Sequence, residues 1–244
     1  MSNLNNRNIY LHIGLPKTGT TSIQETFKLN YPKFTQLGIG GLCSNGNGSH
    51  TELARRLSIL DSMNKYSANQ SEDGYLLQLE KNNGEFPSFD AHQALFISSE
   101  DFYKISVDGA LEVINFSKNN NSALQILVGI RNPNEWIFSM WTQYTKSHWI
   151  DWHDFIESAT EYKEGFLSSV LAKWLNQDVE AIKILKFTRS NWVPSFMSSL
   201  GVPNDLLNKL DLSISLTNNS NGICYSLYQA AFSKFVLEEI YMSA

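Results

Sequence analysis

Cysteine is nearly absent: the 244-residue chain has only Cys43 and Cys224, far apart and without a CxxC pair. That excludes a disulfide framework and a cysteine-based zinc site. Long apolar runs are missing too. The longest, such as Ile126–Ile130, fall far short of the ~20 residues a membrane span needs. Basic tracts are also lacking. The 19 Lys and Arg are scattered among 24 Asp and Glu, for a formal net charge of -5. A protein that grips DNA or RNA phosphates needs a basic face, so no nucleic-acid partner is expected. A local anion site needs only a few backbone amides and one or two cations. The opening residues, MSNLNNRN, are polar and lead straight into a strand-like run, so no signal peptide and a soluble, cytoplasmic protein are expected. No internal repeat or linker divides the chain, and one domain over residues 1–244 is expected.

What is present reads as alternating strands and helices. Asn8–Ile13, Ala94–Ser98, Leu124–Ile130 and Val179–Phe187 are short apolar, β-branched runs, the signature of buried strands. Helical spacing marks Thr20–Phe27, Thr51–Met63 with Thr51 as N-cap, Glu72–Lys81, Leu111–Phe116 and Pro133–Lys146. It also marks Trp192–Leu200, closed by Gly201, and Gly222–Met242. The segment Asn30–His50, rich in Gly, Asn and Pro, is expected to be irregular. Continuous rather than alternating apolar strands imply a parallel sheet covered on both faces. The expected fold is therefore α/β: a P-loop-like, three-layer domain with a central parallel sheet flanked by helices.

The most specific feature is strand, then GLPKTGTT, then helix. A glycine-bounded turn at a helix N-terminus gathers several N–H groups in one concave space, and the helix dipole adds positive potential. Such a nest binds phosphate. Gly14 and Gly19 have the spacing of the Walker A pattern G-x-x-x-x-G-K-[ST]. The next residue, however, is Thr20, and the lysine has moved to Lys17. A nucleoside triphosphatase needs that lysine on the β/γ-phosphates, so ATP hydrolysis is disfavoured.

At this point the chain resembles the sulfotransferases that use 3′-phosphoadenosine 5′-phosphosulfate (PAPS). Their 5′-phosphosulfate loop has the motif P-K-[TS]-G-[TS]-[TS]. Pro16, Lys17, Thr18, Gly19, Thr20 and Thr21 match it at every position. The tract Tyr10–Gln24 looks most like the bacterial and carbohydrate-modifying branch. A second segment agrees: Arg131 at a strand end and Ser139 eight residues on match the pair that holds the cofactor 3′-phosphate in that family. A guanidinium and a helix hydroxyl are chemically suited to it. The sequence Ser98-Ser99-Glu100 resembles the strand-end context in which a glutamate takes the acceptor proton. The alternative reading of Glu100 is a helix-start residue with Ser99 as its cap. A weaker likeness covers Val179–Val202, where Leu200-Gly201 ends a helix. The R-K-G-x-x-G loop that closes over the cofactor in the cytosolic branch is not found.

The resemblance implies transfer of a sulfuryl group from PAPS, with adenosine 3′,5′-bisphosphate as product. The acceptor would be a hydroxyl or amine of a small molecule, lipid or carbohydrate. No metal is implied, because no Walker B-like aspartate ends a strand and Lys17 replaces the cation. The expected catalytic residues are Lys17 and Glu100, with His50 as a second-choice base. His12 reads as a core or crevice-lining residue. His148 and His153 are not spaced for one helix face, so a zinc pair is not expected. Trp136, Trp149 and Trp152 could stack on a sugar or adenine, though tryptophans are mostly core. Two alternatives stay open: a nucleotide-dependent kinase with a degenerate loop, and a nucleotide-binding module without chemistry. The acceptor and the oligomeric state are left open as well.

Overall fold

The computed structural model describes residues 7–41, 48–60, 85–145, 150–158, 166–175, 177–188 and 190–212. Five strands make one all-parallel sheet: β1 (Arg7–Ile13), β2 (Ile39–Gly40), β3 (Ala94–Ser99), β4 (Ser122–Ile130) and β5 (Ala181–Lys186). Their order is β2-β3-β1-β4-β5. The chain starts in the centre, moves to the β2 edge, returns through β3, then crosses to β4 and β5. The reversal falls beside β1, where Ile13 is level with Ser99 on one side and Val128 on the other. In open parallel sheets the crevice at such a reversal, beyond the strand C-termini, is where ligands bind.

The helices among the described residues are α1 (Thr20–Leu29), α2 (Tyr31–Gln36), α3 (Thr51–Ser58), α4 (Val107–Asn119), α5 (Pro133–Tyr144), α6 (Trp152–Ser158), α7 (Phe166–Ala172), α8 (Trp192–Ser199) and α9 (Asn204–Leu207). A short 3₁₀ helix, Glu100–Lys104, follows β3. Alternation along the strands builds two cores. Ile9, Leu11, Ile13, Leu95, Ile97, Ile126 and Val128 pack on one face with residues of α3, α4 and α7, and with Trp174. Phe96 and Leu127 pack on the other with Ile23 and Phe27 of α1, Phe34 of α2, and Trp192, Val193, Phe196 and Met197 of α8. The sheet is thus the middle of three layers, as the continuous apolar strands predicted. No helix among the described residues is long and apolar enough to cross a membrane.

Two local expectations need correction. Asn30–His50 is not wholly irregular: α2 and β2 lie within it. Pro32 sits in the first turn of α2, where its missing N–H costs nothing, and Phe34 is fully buried. Thr51 is not an N-cap but the first helical residue; His50 precedes it and no side chain caps the helix. The Thr51 hydroxyl lies instead 2.7 Å from that of Ser49. The helix expected at Leu111–Phe116 is longer, and that at Pro133–Lys146 ends at Tyr144. The helices expected at residues 72–81 and 222–242 lie outside the described residues.

The start of α4 is docked tightly on the end of α3. Ser106 caps α4 by accepting the Gly109 N–H at 2.9 Å and donates its hydroxyl to the Leu57 carbonyl at 3.0 Å. A Cβ at Gly109 would come within 2.2 Å of that carbonyl oxygen. Helix propensity alone would make Gly109→Ala stabilising by about 0.5–1 kcal/mol. The backbone collision outweighs it, as overpacking costs roughly 1–3 kcal/mol. Gly109→Ala is therefore expected to lower the urea midpoint. A raised midpoint would show that the two helices separate freely.

Candidate active site

The loop between β1 and α1 begins at Gly14, whose N–H donates to the Ser99 carbonyl at 3.0 Å and so extends the β1–β3 pairing. Thr18 then folds the chain back, with both its N–H (3.3 Å) and its hydroxyl (2.6 Å) donating to the Leu15 carbonyl. Two residues adopt left-handed backbone: Lys17 at φ 62 and Gly19 at φ 75. Gly19 must also be bare. A Cβ there would meet the Trp192 indole nitrogen at 2.7 Å and the Phe187 ring at 2.8 Å.

Three loop carbonyls are held from outside. Trp136 of α5 donates its indole N–H to Pro16 O. Arg131 donates to Lys17 O at 3.4 Å, and Trp192 of α8 to Gly19 O at 3.3 Å. Because the peptide unit is planar and trans, each tethered carbonyl turns the following N–H the opposite way. Thr20, Thr21 and Ser22 then open α1, and no side chain caps that end. Their amides are left for solvent or an anion. Thr20 Oγ1 is buried against Gly14 without a hydrogen-bond partner among the described residues. Thr21 is exposed.

The other proposed residues gather round this loop. Lys17 Nζ donates to Gln143 Oε1 of α5 at 3.0 Å. Ser139 lies between Trp136 and Gln143, one turn from each, on the face of α5 that meets the loop. Arg131, at the C-terminus of β4, pairs through Nε with Glu135 Oε2 at 3.2 Å and stacks over Phe187, 5.1 Å from the ring centroid. Across the crevice, Glu100 follows β3, and Ser99 caps its 3₁₀ turn by accepting the Asp101 N–H at 3.1 Å. Glu100 is solvent-exposed. Crowding by the surrounding protein raises its pKa, and Lys17 is the strongest charge pulling it back, while Asp101 raises it and Lys104 lowers it. The Lys17 ammonium is thus close enough for its charge to be felt at the Glu100 carboxylate. Ser99 is thus the cap of the turn that Glu100 opens.

His50 is placed differently. It is only 3% exposed and lies against β3, donating its N–H to Ser98 O at 2.7 Å and accepting the Ser98 N–H on Nδ1 at 3.2 Å. Burial holds its pKa at about 4, against smaller raising contributions from the backbone at Ser98 and Gly41. It belongs to a buried polar cluster. The Ser98 hydroxyl lies 2.9 Å from His12 Nδ1 and accepts from Gln24 Nε2 at 3.2 Å. His12 is fully buried beside Phe96 and Phe196, and burial drives its pKa to about 3. The geometry therefore makes His50 a support for the end of β3 rather than a group presented to the crevice.

Several site residues escape a reading of the sequence. Trp136 tethers Pro16 and stacks on Phe166, with centroids 5.5 Å apart. Trp192, Phe187 and Gln143 reach the loop only through the tertiary fold. The seven-residue spacing of Trp136 and Gln143 is the one signal that could have paired them. Trp152 packs among Phe138, Trp141 and Phe155, and His153 pairs with Glu157 at 3.2 Å. His148 and Trp149 lie outside the described residues. Among the described residues no three His, Cys, Asp or Glu side chains converge as a metal site.

No protein-family model matches the chain, and no curated protein does. Among solved structures, a chain described under the PezAT chromosomal toxin-antitoxin system of the human pathogen Streptococcus pneumoniae is similar. It shares 12% identity over 95% of this chain and 89% of that chain, with a TM-score of 0.36. Likeness at this level bears on neither activity nor ligand.

The two buried histidines make stability depend on pH. An unfolded histidine titrates near 6.5, whereas His50 and His12 titrate at about 4 and 3 in the fold. As pH falls, the unfolded chain takes up protons first, so stability is present above about 6.5 and is lost below it. At pH 5 the loss is on the order of 2 kcal/mol per histidine. Glu100 works in the opposite direction but is exposed and offsets little. Urea unfolding at pH 7.5 and pH 5 checks this. Equal midpoints would mean that these imidazoles open to water.

Proposed function

We propose that the chain transfers a sulfuryl group from PAPS to a hydroxyl or amine of a small-molecule, lipid or carbohydrate acceptor. The observation that carries this reading is a loop that carries Lys17 in left-handed backbone and has three carbonyls tethered by Trp136, Arg131 and Trp192. The residues present suit the donor. The uncapped first turn of α1, the unpartnered Thr20 hydroxyl and the Lys17 ammonium fit the 5′-phosphosulfate end. Arg131 and Ser139, on the β4–α5 side, suit the 3′-phosphate. Lys17 stands two residues before Gly19 in left-handed backbone, not after it as in a Walker A loop.

When bound, PAPS supplies the transferred group: a bond forms from the acceptor atom to sulfur, the bond from sulfur to the bridging phosphate oxygen breaks, and adenosine 3′,5′-bisphosphate leaves. Glu100 accepts the proton of the attacking hydroxyl or amine. The raised pKa brings this carboxylate closer to the pH at which it works, which strengthens it as a base. Lys17 and the loop amides are fixed beforehand where negative charge grows on the leaving phosphate, so little reorganisation is needed. This is positioning plus electrostatics, as in phosphoryl transfer.

The binding half is tested by calorimetric titration without an acceptor. Adenosine 3′,5′-bisphosphate is expected to bind about 10- to 150-fold more tightly than adenosine 5′-monophosphate, the range for one charge-assisted hydrogen bond. Ser139→Ala should narrow that ratio. Arg131→Ala should narrow it further and also weaken the monophosphate somewhat, because Arg131 holds the Lys17 carbonyl. Equal wild-type affinities would leave the Arg131 segment with a structural role only.

The chemical half is tested by sulfate transfer to a panel of acceptors. Glu100→Gln is expected to keep nucleotide binding and lose about 10²–10⁴-fold in rate. Lys17→Ala should remove most turnover with an unchanged circular dichroism spectrum. The low-pH limb of the wild-type rate should sit above the ordinary carboxylate range, following the raised Glu100 pKa. Tight nucleotide binding with no transfer to any acceptor would make the protein a binding module. Magnesium-dependent ATP turnover would make it a kinase.

A further inference from the structure

The two cations of the crevice are held by the same helix in different ways. Lys17 Nζ meets a neutral acceptor, the Gln143 amide oxygen. Arg131 meets a full negative charge, the Glu135 carboxylate at 3.2 Å. Arg131 cannot move far: its side chain is 9% exposed, stacks on Phe187 and donates to the Lys17 carbonyl. Glu135 is 61% exposed in the first turn of α5 and can swing into solvent without disturbing the core. An anion arriving at Arg131 therefore displaces the carboxylate, not the guanidinium.

We propose that Glu135 is an internal stand-in anion on Arg131 that a terminal phosphate monoester replaces when it binds, so that Glu135 lowers the affinity of the site for 3′-phosphorylated nucleotides. This rests on the assignment of Arg131 to the 3′-phosphate. A phosphate monoester carries about -1.5 to -2 charges near neutral pH and three acceptor oxygens. It outcompetes a carboxylate for a fork of guanidinium donors. A free 3′-hydroxyl brings no charge to Arg131, leaves the Glu135 pair in place and is not penalised by it.

The test is titration of the full chain with adenosine 3′,5′-bisphosphate and with adenosine 5′-monophosphate, comparing wild type, Glu135→Gln and Asp178→Asn. Asp178 is the control. It pairs with Lys118 at 3.2 Å, just ahead of β5, at the end of the sheet opposite the crevice, and removes the same charge. Glu135→Gln is expected to bind the bisphosphate about two- to fivefold more tightly, the effect of a partly exposed ion pair, with the gain shrinking as salt is raised. Its affinity for the monophosphate should change less than twofold, and Asp178→Asn should leave both ligands unchanged. Glu135→Ala should repeat the direction. An unaltered bisphosphate affinity, or an equal gain for both nucleotides, overturns the role of Glu135 while leaving the sulfotransferase reading in place. A wild type that binds neither nucleotide overturns both.

Discussion

The tethering of the loop carbonyls from outside is the constraint on which the crevice depends. A short loop that must present amides has to turn its carbonyls somewhere, and buried carbonyls need donors. Here the donors are two indoles and a guanidinium, from Trp136, Trp192 and Arg131. They also allow Lys17 to take a left-handed backbone, which costs a non-glycine residue roughly 1–2 kcal/mol. Three hydrogen bonds at about 0.5–1.5 kcal/mol each are enough to offset that. The loop is therefore held by helices that follow it in sequence by more than a hundred residues.

Beneath the loop, the ends of β1 and β3 are joined by a polar knot inside an apolar core. His12, Ser98, Gln24 and His50 come from β1, β3, α1 and the start of α3. A buried polar group is costly unless it is paired, and a network links its members more tightly than separate pairs would. Ser98 is the common partner, and the residue two positions on is Glu100. The knot thereby fixes the strand end from which the candidate base projects.

Charge is distributed unevenly over the molecule. The whole chain is acidic, yet Lys17 and Arg131 lie together at the loop, with Glu100 and Glu135 as their counter-charges.

The sequence by itself determined the layers and the place of the crevice. Continuous apolar runs such as Ala94–Ser98 and Leu124–Ile130 can be satisfied only by burial on both faces, and the glycines of GLPKTGTT mark a turn that opens on a helix N-terminus. Local pattern carries this because strand burial and helix starts depend on neighbours along the chain. Pattern failed where the partner lies far away. Nothing around Trp192 foretells that its indole holds Gly19, and nothing around His50 foretells a buried place beside Ser98 rather than an open one. Proline and glycine in Asn30–His50 read as an irregular loop, but the burial of Phe34 under the sheet made a helix worth forming there. Which side chains support the loop, and which cation faces a carboxylate, were decided only when strands of remote sequence met in one sheet, because hydrogen bonds and ion pairs depend on distances that the order of residues does not contain.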